Sequence, residues 1–373
     1  MRAYVLPDPR LVKLAGRFVW LSIDTENPKN LPFVERFPID AWPTLLVIDP
    51  DSEAVVVRWA GTATAVDIEK LALDGERSVK PAGASKADTL LVQADRLLGA
   101  REHAKAAASY AEALAAGGPA WRGRERAIEA RVQALSMTDD MAGCAEAART
   151  SAPAVTTAAI AARIVAQGLA CAEDLPAPAG PQTVAMLESQ ARTLVRGPGV
   201  LADDRSWLYE KIADARKAAG DAKGEKDVAR EWLAYLEGEA ARGKTPLERA
   251  AFNGQRVSAA RRLGEPERVL PALKRSEQEL PGEFVVPSLL GVVYLDMNRP
   301  ADALAAADRA LALAQGPRRV RVMVLKAEAQ LKLDRRADAR ATLEKALSEG
   351  EMLPDNAKPT GYMKKARKML AEI

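Results

Sequence analysis

The apolar positions of this chain change period once. In the first 70 or so residues they fall in short runs. Leu45 to Ile48 is a continuous run with Pro43 at its mouth. Proline has no N–H to give a central ladder, so it belongs at the strand's first residue, and the run predicts a strand buried on both faces. Phe18 to Asp24 predicts an earlier strand, followed by Asn27-Pro28. Pro50-Asp51 predicts a turn, and Ala54 to Trp59 a further strand that closes a hairpin. Thr64-x-x-Asp67 then opens a helix with Ile68, Leu71 and Ala72 on one face. From Gly75 to Lys86, Gly, Pro, Ser and Lys replace that periodicity, and residues 76–86 are expected to be a linker.

Beyond the linker the pattern is helical to the end, and it repeats. Leu290-Gly291-x-x-Tyr294 is followed by Ala303, Ala307 and Ala310; 36 residues after Gly291 and its alanines come Ala327, Ala339, Leu343 and Ala346. Val257, Val269, Leu273 and Ser276 fall 34 residues before the same set, and Ala94, Ala106, Tyr110 and Ala113 share the spacing. Each unit reads as two helices brought close by small residues. Turns are expected at Leu263-Gly264-Glu265-Pro266 and Met297-Asn298-Arg299-Pro300. Between residues 120 and 245 the repeat is degenerate, though Trp207-Leu208-x-x-x-Ile212 and Val228-x-x-x-Trp232-x-x-Tyr235 still predict helices, and Pro176 to Pro181 a loop. The last helix, about Pro359 to Ile373, carries Met363, Ala366 and Leu370 on one stripe, as a capping helix would.

Two family resemblances rest on these residues. The order of strands, an Asp after the first and Trp42-Pro43-Thr44 opening the second, resembles the C-terminal two-thirds of a thioredoxin-like domain over about residues 3–74. The resemblance implies a cis Trp42–Pro43 bond and a substrate-binding role for Trp42, Pro43 and Thr44. Family chemistry needs C-x-x-C at the start of the helix before the Phe18 strand, where the helix N-terminus favours a thiolate. Only that helix's tail, about Met1 to Tyr4, is present, and no cysteine precedes Cys144. The resemblance therefore implies an N-terminally truncated, non-catalytic domain over residues 1–75. A C-x-x-C is expected upstream of Met1; a signal peptide further upstream would place the protein in a bacterial periplasm, and without one it would be cytoplasmic. The helical repeats of residues 87–373 resemble tetratricopeptide repeats, with the signature clearest in the units starting near 87, 287 and 320. That implies an all-α superhelix whose concave face holds a protein or peptide client. Its expected lining includes Gly254, Ser258, Arg261, Arg262, Ser288, Val292, Leu295, Arg321, Glu328 and Lys332. The cationic members outnumber Glu328, so acidic or polar peptides are the expected ligands. The Lys/Asn arrangement of chaperone-tail-binding relatives is not reproduced. The expected fold is thus an α/β thioredoxin-like segment followed by a tetratricopeptide superhelix.

Composition narrows the chemistry. The 373 residues carry 54 basic and 51 acidic side chains, a balance that gives no push toward nucleic acid or an anionic membrane. No apolar run approaches the ~20 residues that cross a bilayer. The single histidine, His103, sits in a polar helical stretch, and the two cysteines, Cys144 and Cys171, lie 27 apart in Ala-rich sequence. Both cysteines read as small buried residues, with a disulfide left open by spacing alone. No zinc ligand set, phosphate loop or nucleophile elbow is present, and neither a metal nor a cofactor is expected. Two functions follow: an interaction scaffold, or a thiol–disulfide oxidoreductase whose cysteines lie upstream and whose repeats recruit clients.

Overall fold

The computed structural model describes residues 5–39, 42–79, 85–173 and 175–373. The chain forms two compact units, one of Met1–Val19 with Ile39–Trp232, the other of Trp20–Pro38 with Leu233–Ile373. In chain order a short helix α1 (Leu31–Arg36) precedes strands β1 (Thr44–Ile48) and β2 (Val55–Ala60) and helix α2 (Ala65–Val79). Helix pairs follow: α3 (Lys86–Gly99) with α4 (His103–Gly117), α5 (Arg124–Ser136) with α6 (Met141–Ser151), α7 (Ala158–Ala172) with α8 (Ala179–Leu194), and α9 (Ala202–Ala218) with α10 (Ala222–Arg242). After the short α11 (Pro246–Ala250) come α12 (Asn253–Leu263) with α13 (Leu270–Glu279), α14 (Val285–Asp296) with α15 (Pro300–Leu313), and α16 (Pro317–Lys332) with α17 (Arg336–Glu351). Helix α18 (Thr360–Ala371) ends the chain.

In the first unit the expected hairpin is present and antiparallel, pairing Thr44 with Ala60 and Ile48 with Val55, with an irregularity between Val47 and Ile48. The expected strand at Phe18–Asp24 is not formed, and among the described residues the sheet has two strands only. Val19 and Leu21 are 88% and 71% exposed. An apolar run becomes a strand only beside an edge, and from Trp20 onward this stretch belongs to the other unit. With one neighbour instead of two, β1 is half-buried along its length, not buried on both faces. Helix α2 begins at the expected box, Thr64 N–H donating to Asp67 Oδ2 at 2.9 Å and Asp67 N–H to Thr64 Oγ1 at 3.1 Å. It runs on to Val79, through the start of the expected linker, whose residues 80–84 lie outside the described residues, as do Met1 to Tyr4.

The sequence signature marks the helix contacts. Ala94, Ala106, Tyr110 and Ala113 are buried in the first pair, and Leu290, Gly291, Tyr294, Ala303, Ala307 and Ala310 in the pair α14/α15. A methyl on Gly291 would sit 2.9 Å from Leu325 Cδ2, so the α14–α16 approach needs a residue without one. The period also surfaces as ion pairs joining residues about one repeat apart: Arg126 to Asp95 (31 apart), Arg163 to Glu129 (34), Arg268 to Glu237 (31), Arg261 to Asp296 (35), Arg309 to Glu277 (32) and Arg319 to Glu349 (30). The degenerate stretch keeps the same construction, with Leu208, Ile212, Val228 and Trp232 buried and Trp232 Nε1 donating to Ser206 Oγ at 2.7 Å. The expected 176–181 loop is shorter than predicted. Gly180 and Pro181 lie in the first turn of α8, where proline's missing N–H costs nothing.

Cys144 and Cys171 are joined by a buried disulfide, with Cα atoms 6.0 Å apart, linking α6 to α7. In the second unit α18 packs on α16 and α17 through Met363, Ala366 and Met369, with Leu370 half-buried beside them. No helix among the described residues is long and apolar enough to cross a membrane.

Candidate functional site

Two places gather the predicted site residues, one in each unit. In the first unit, the Trp42–Pro43 bond is cis. Trp42 is 68% exposed and borders a cleft of about 330 Å³ that is also lined by Thr62, Glu129, Arg163, Gln167 and Trp207. The backbone after it is already used. Pro43 C=O accepts from Gly61 N–H at 2.7 Å, and Thr44 pairs with Ala60 in the hairpin. The charged wall of the cleft is closed in the same way. Arg163 donates to Glu129 Oε1 at 2.5 Å and to Asp204 Oδ2 at 3.1 Å, and its guanidinium lies 5.0 Å from the centre of the Trp59 ring. Thr62 Oγ1 donates to Asp204, and Trp59 Nε1 to the Thr62 carbonyl at 2.9 Å. Burial pushes the Glu129 and Asp204 carboxyls up against the pull of Arg163. The same two charges raise Arg163 in spite of its own burial. Every strong donor and acceptor named here has a partner inside the wall, so the cluster braces the hairpin against α5, α7 and α9.

A second buried network does the same a repeat earlier. Arg126 donates through Nη1 and Nη2 to Asp95 Oδ2, both at 2.9 Å, and Tyr110 Oη donates to Asp95 Oδ1 at 2.7 Å. Burial raises the Asp95 carboxyl and the Tyr110 phenol.

In the second unit the expected groove residues fall on α12, α14 and α16. Gly254, Ser258, Arg262, Ser288, Val292, Arg321 and Glu328 are half-buried, and Arg261 and Lys332 are exposed. Leu295 is instead buried in the packing, which removes it from any open surface. Arg261 donates to Asp296 at 2.6 and 3.2 Å, and Glu328 pairs with Lys365 of α18. Arg321 pairs with Glu26, a residue of the 20–38 segment.

The sequence reading missed the stronger half of that contact. Arg318 donates through Nε to Glu26 Oε2 at 2.7 Å, and through Nη1 and Nη2 to the two Asp24 oxygens at 2.9 and 2.8 Å. Phe284 lies beneath its guanidinium, 5.0 Å from ring centre to charge. Gly316, at φ +52, lets the peptide of Glu26 approach, for a methyl there would stand 2.5 Å from the Glu26 carbonyl oxygen. The acidic stretch is itself a folded turn. Asp24 Oδ1 accepts from Glu26 N–H at 3.1 Å, the Asp24 carbonyl accepts from Asn30 Nδ2 at 2.8 Å, and Asn27 caps the turn Pro28–Asn30. One sequence signal points to it: Pro317-Arg318-Arg319-Val320-Arg321 places three cations in the first turn and a half of α16. The helix dipole disfavours cations there, so such a cluster calls for anionic partners.

No protein-family model and no curated protein matches the chain. Several solved structures are similar to it. They include a tetratricopeptide repeat protein from Parabacteroides merdae ATCC 43184, at 11% identity over 75% of this chain and 98% of that one, TM-score 0.48. The TPR2AB-domain:pHSP90 complex of yeast Sti1 matches at 14% identity over 77% and 97%, TM-score 0.31. Acl4, an assembly chaperone of RpL4, matches at 16% identity over 77% and 97%, TM-score 0.35. At such scores the likeness carries no argument about ligands, and the account of the site rests on its own geometry.

Proposed function

We propose that this chain is a protein-interaction scaffold of tetratricopeptide-type helix pairs that holds an acidic segment of a protein client on its last pairs. The observation that supports this is the grip of Arg318 and Arg321 on Asp24 and Glu26. A bidentate guanidinium on a carboxylate is both strong and direction-specific. Arg262 and Lys332 would extend the cationic lining, and Arg261 pairs with Asp296.

The oxidoreductase reading finds no support in the site. The chain's two cysteines are bonded to each other between α6 and α7, away from Trp42–Pro43–Thr44 in sequence and in element. A buried structural disulfide suits an oxidising compartment, which favours a location outside a reducing cytosol.

A random-peptide display selection on the full chain tests the function. The best binder is then measured by fluorescence polarisation against the wild type and two charge-reversed forms. Enriched peptides should be rich in Asp and Glu. R318E/R321E should weaken the best binder at least tenfold, R261E/R262E less, and raised salt should weaken wild-type binding. Selection without enrichment, or binders indifferent to all four reversals, would remove the proposal.

A further inference from the structure

Deepening that reading and resting on it, we infer that the stretch Asp24-Thr25-Glu26 is a tethered pseudo-ligand: it occupies the acidic-peptide site of its own chain, and a client must displace it.

Charge chemistry comes first. Arg318 and Arg321 stand in the opening turns of α16, where the dipole opposes them, and the structure satisfies them with carboxylates brought from nearly 300 residues away. Arg318 alone makes three hydrogen bonds to the segment. Shape comes second. Gly316 leaves room for the Glu26 backbone, so the fit includes main chain as well as charge. Phe284 adds an apolar floor that fixes the guanidinium plane.

The attachment is shallow, which is what separates a displaceable ligand from a structural brace. The Asp24 side chain is 43% exposed and that of Glu26 28%, and the exposed run Val19 to Leu21 ends three residues before Asp24. The segment's turn is held by its own Asp24, Asn27 and Asn30 contacts. It can therefore leave the arginines without unfolding itself. Because the segment belongs to the same chain, it competes intramolecularly with any client, which excludes weak acidic peptides and admits strong ones.

The test uses the full chain and a synthetic peptide with the sequence of residues 20–30, labelled for fluorescence polarisation. D24A/E26A should bind it at least about tenfold more tightly than the wild type. Adding R318A/R321A should abolish that binding. A charge exchange, R318E/R321E with D24K/E26K, should restore protection of residues 20–38 from chymotrypsin relative to R318E/R321E alone, which keeps the question open to an answer if one variant is poorly folded. Equal binding by wild type and D24A/E26A would overturn cis competition. Failure of the peptide to bind D24A/E26A while display-selected peptides still bind would overturn the pseudo-ligand and leave the scaffold function standing. Failure of both kinds of peptide would remove the scaffold function itself.

Discussion

Arg126 and Arg318 do similar chemistry in opposite surroundings. Each presents a guanidinium fork to an aspartate far away in sequence. Around Arg126 the partner Asp95 is fully buried and shared with Tyr110; around Arg318 the partner Asp24 is nearly half exposed. Taking charges out of water is costly, and once done the pair cannot be opened without leaving a charge stranded. At the surface, water replaces either partner at little cost. Burial, not bond geometry, makes one pair part of the frame and leaves the other free to exchange.

The largest expected effect breaks this contrast if it fails. Arg126→Ala should cost about 3–5 kcal/mol, and Arg318→Ala no more than about 1 kcal/mol. Hydrogen exchange read helix by helix would show lost protection in α3 to α5 for the first and almost none in α16 for the second. Comparable losses at the two sites would mean burial is not the deciding variable.

The disulfide sharpens the same contrast, since it lies only in the first unit. Cys144→Ser should cost about 3.5 kcal/mol, the value for closing a loop of this length. Protection should fall in α6 and α7 and stay unchanged in α14 to α18. Loss spread evenly over the chain would contradict the assignment of the bond to one unit.

The smallest effect is in pH. Hydrogen bonds from Arg319 hold the Glu349 carboxyl below the ordinary glutamate range. A carboxyl lowered by folding adds stability above its unfolded pKa and loses it as pH falls through the folded one. Arg319→Ala should therefore cost a few tenths of a kcal/mol at neutral pH, and the difference from wild type should vanish in acid. Urea unfolding at both pH values measures it, and a difference that persists in acid would show packing, not charge, to be responsible.

How much of this was legible beforehand differs by kind of residue. Spacing marks Tyr110, Gly291 and the alanines at 303, 307 and 310 as contact positions, and they are buried. Spacing suffices there because small residues at fixed intervals on two helices leave few ways to pack. Asp95 and Arg126 were invisible, because a charged residue in a polar helix looks like any solvated one until its partner in the next pair is known. Phe18 to Asp24 had the composition of a strand, but composition does not say which edge receives it, and none does. The disulfide was undecidable from an interval of 27, since pairing depends on how α6 faces α7. In the groove, Arg321 was foreseen and Arg318 was not. The repeat pattern places positions along a helix, whereas Arg318 meets its partner at the helix's entrance, where the dipole argument was the available clue.

Gly168 and Gly291 carry a consequence for how this chain can change over time. A methyl at Gly168 would collide with Ala148 Cβ, and one at Gly291 would press on Leu325. The neighbouring alanines are equally enclosed, Ala303, Ala307, Ala339 and Ala346 having no exposed surface. Adding bulk at such places forces backbones apart at about 1–3 kcal/mol each, and every pair leans on the next. Inherited variation should thus be sorted by volume before polarity. The outward faces can drift through almost any side chain, while the seams resist even one added carbon, so that a map of tolerated substitutions would trace the helix-to-helix seams without any coordinates.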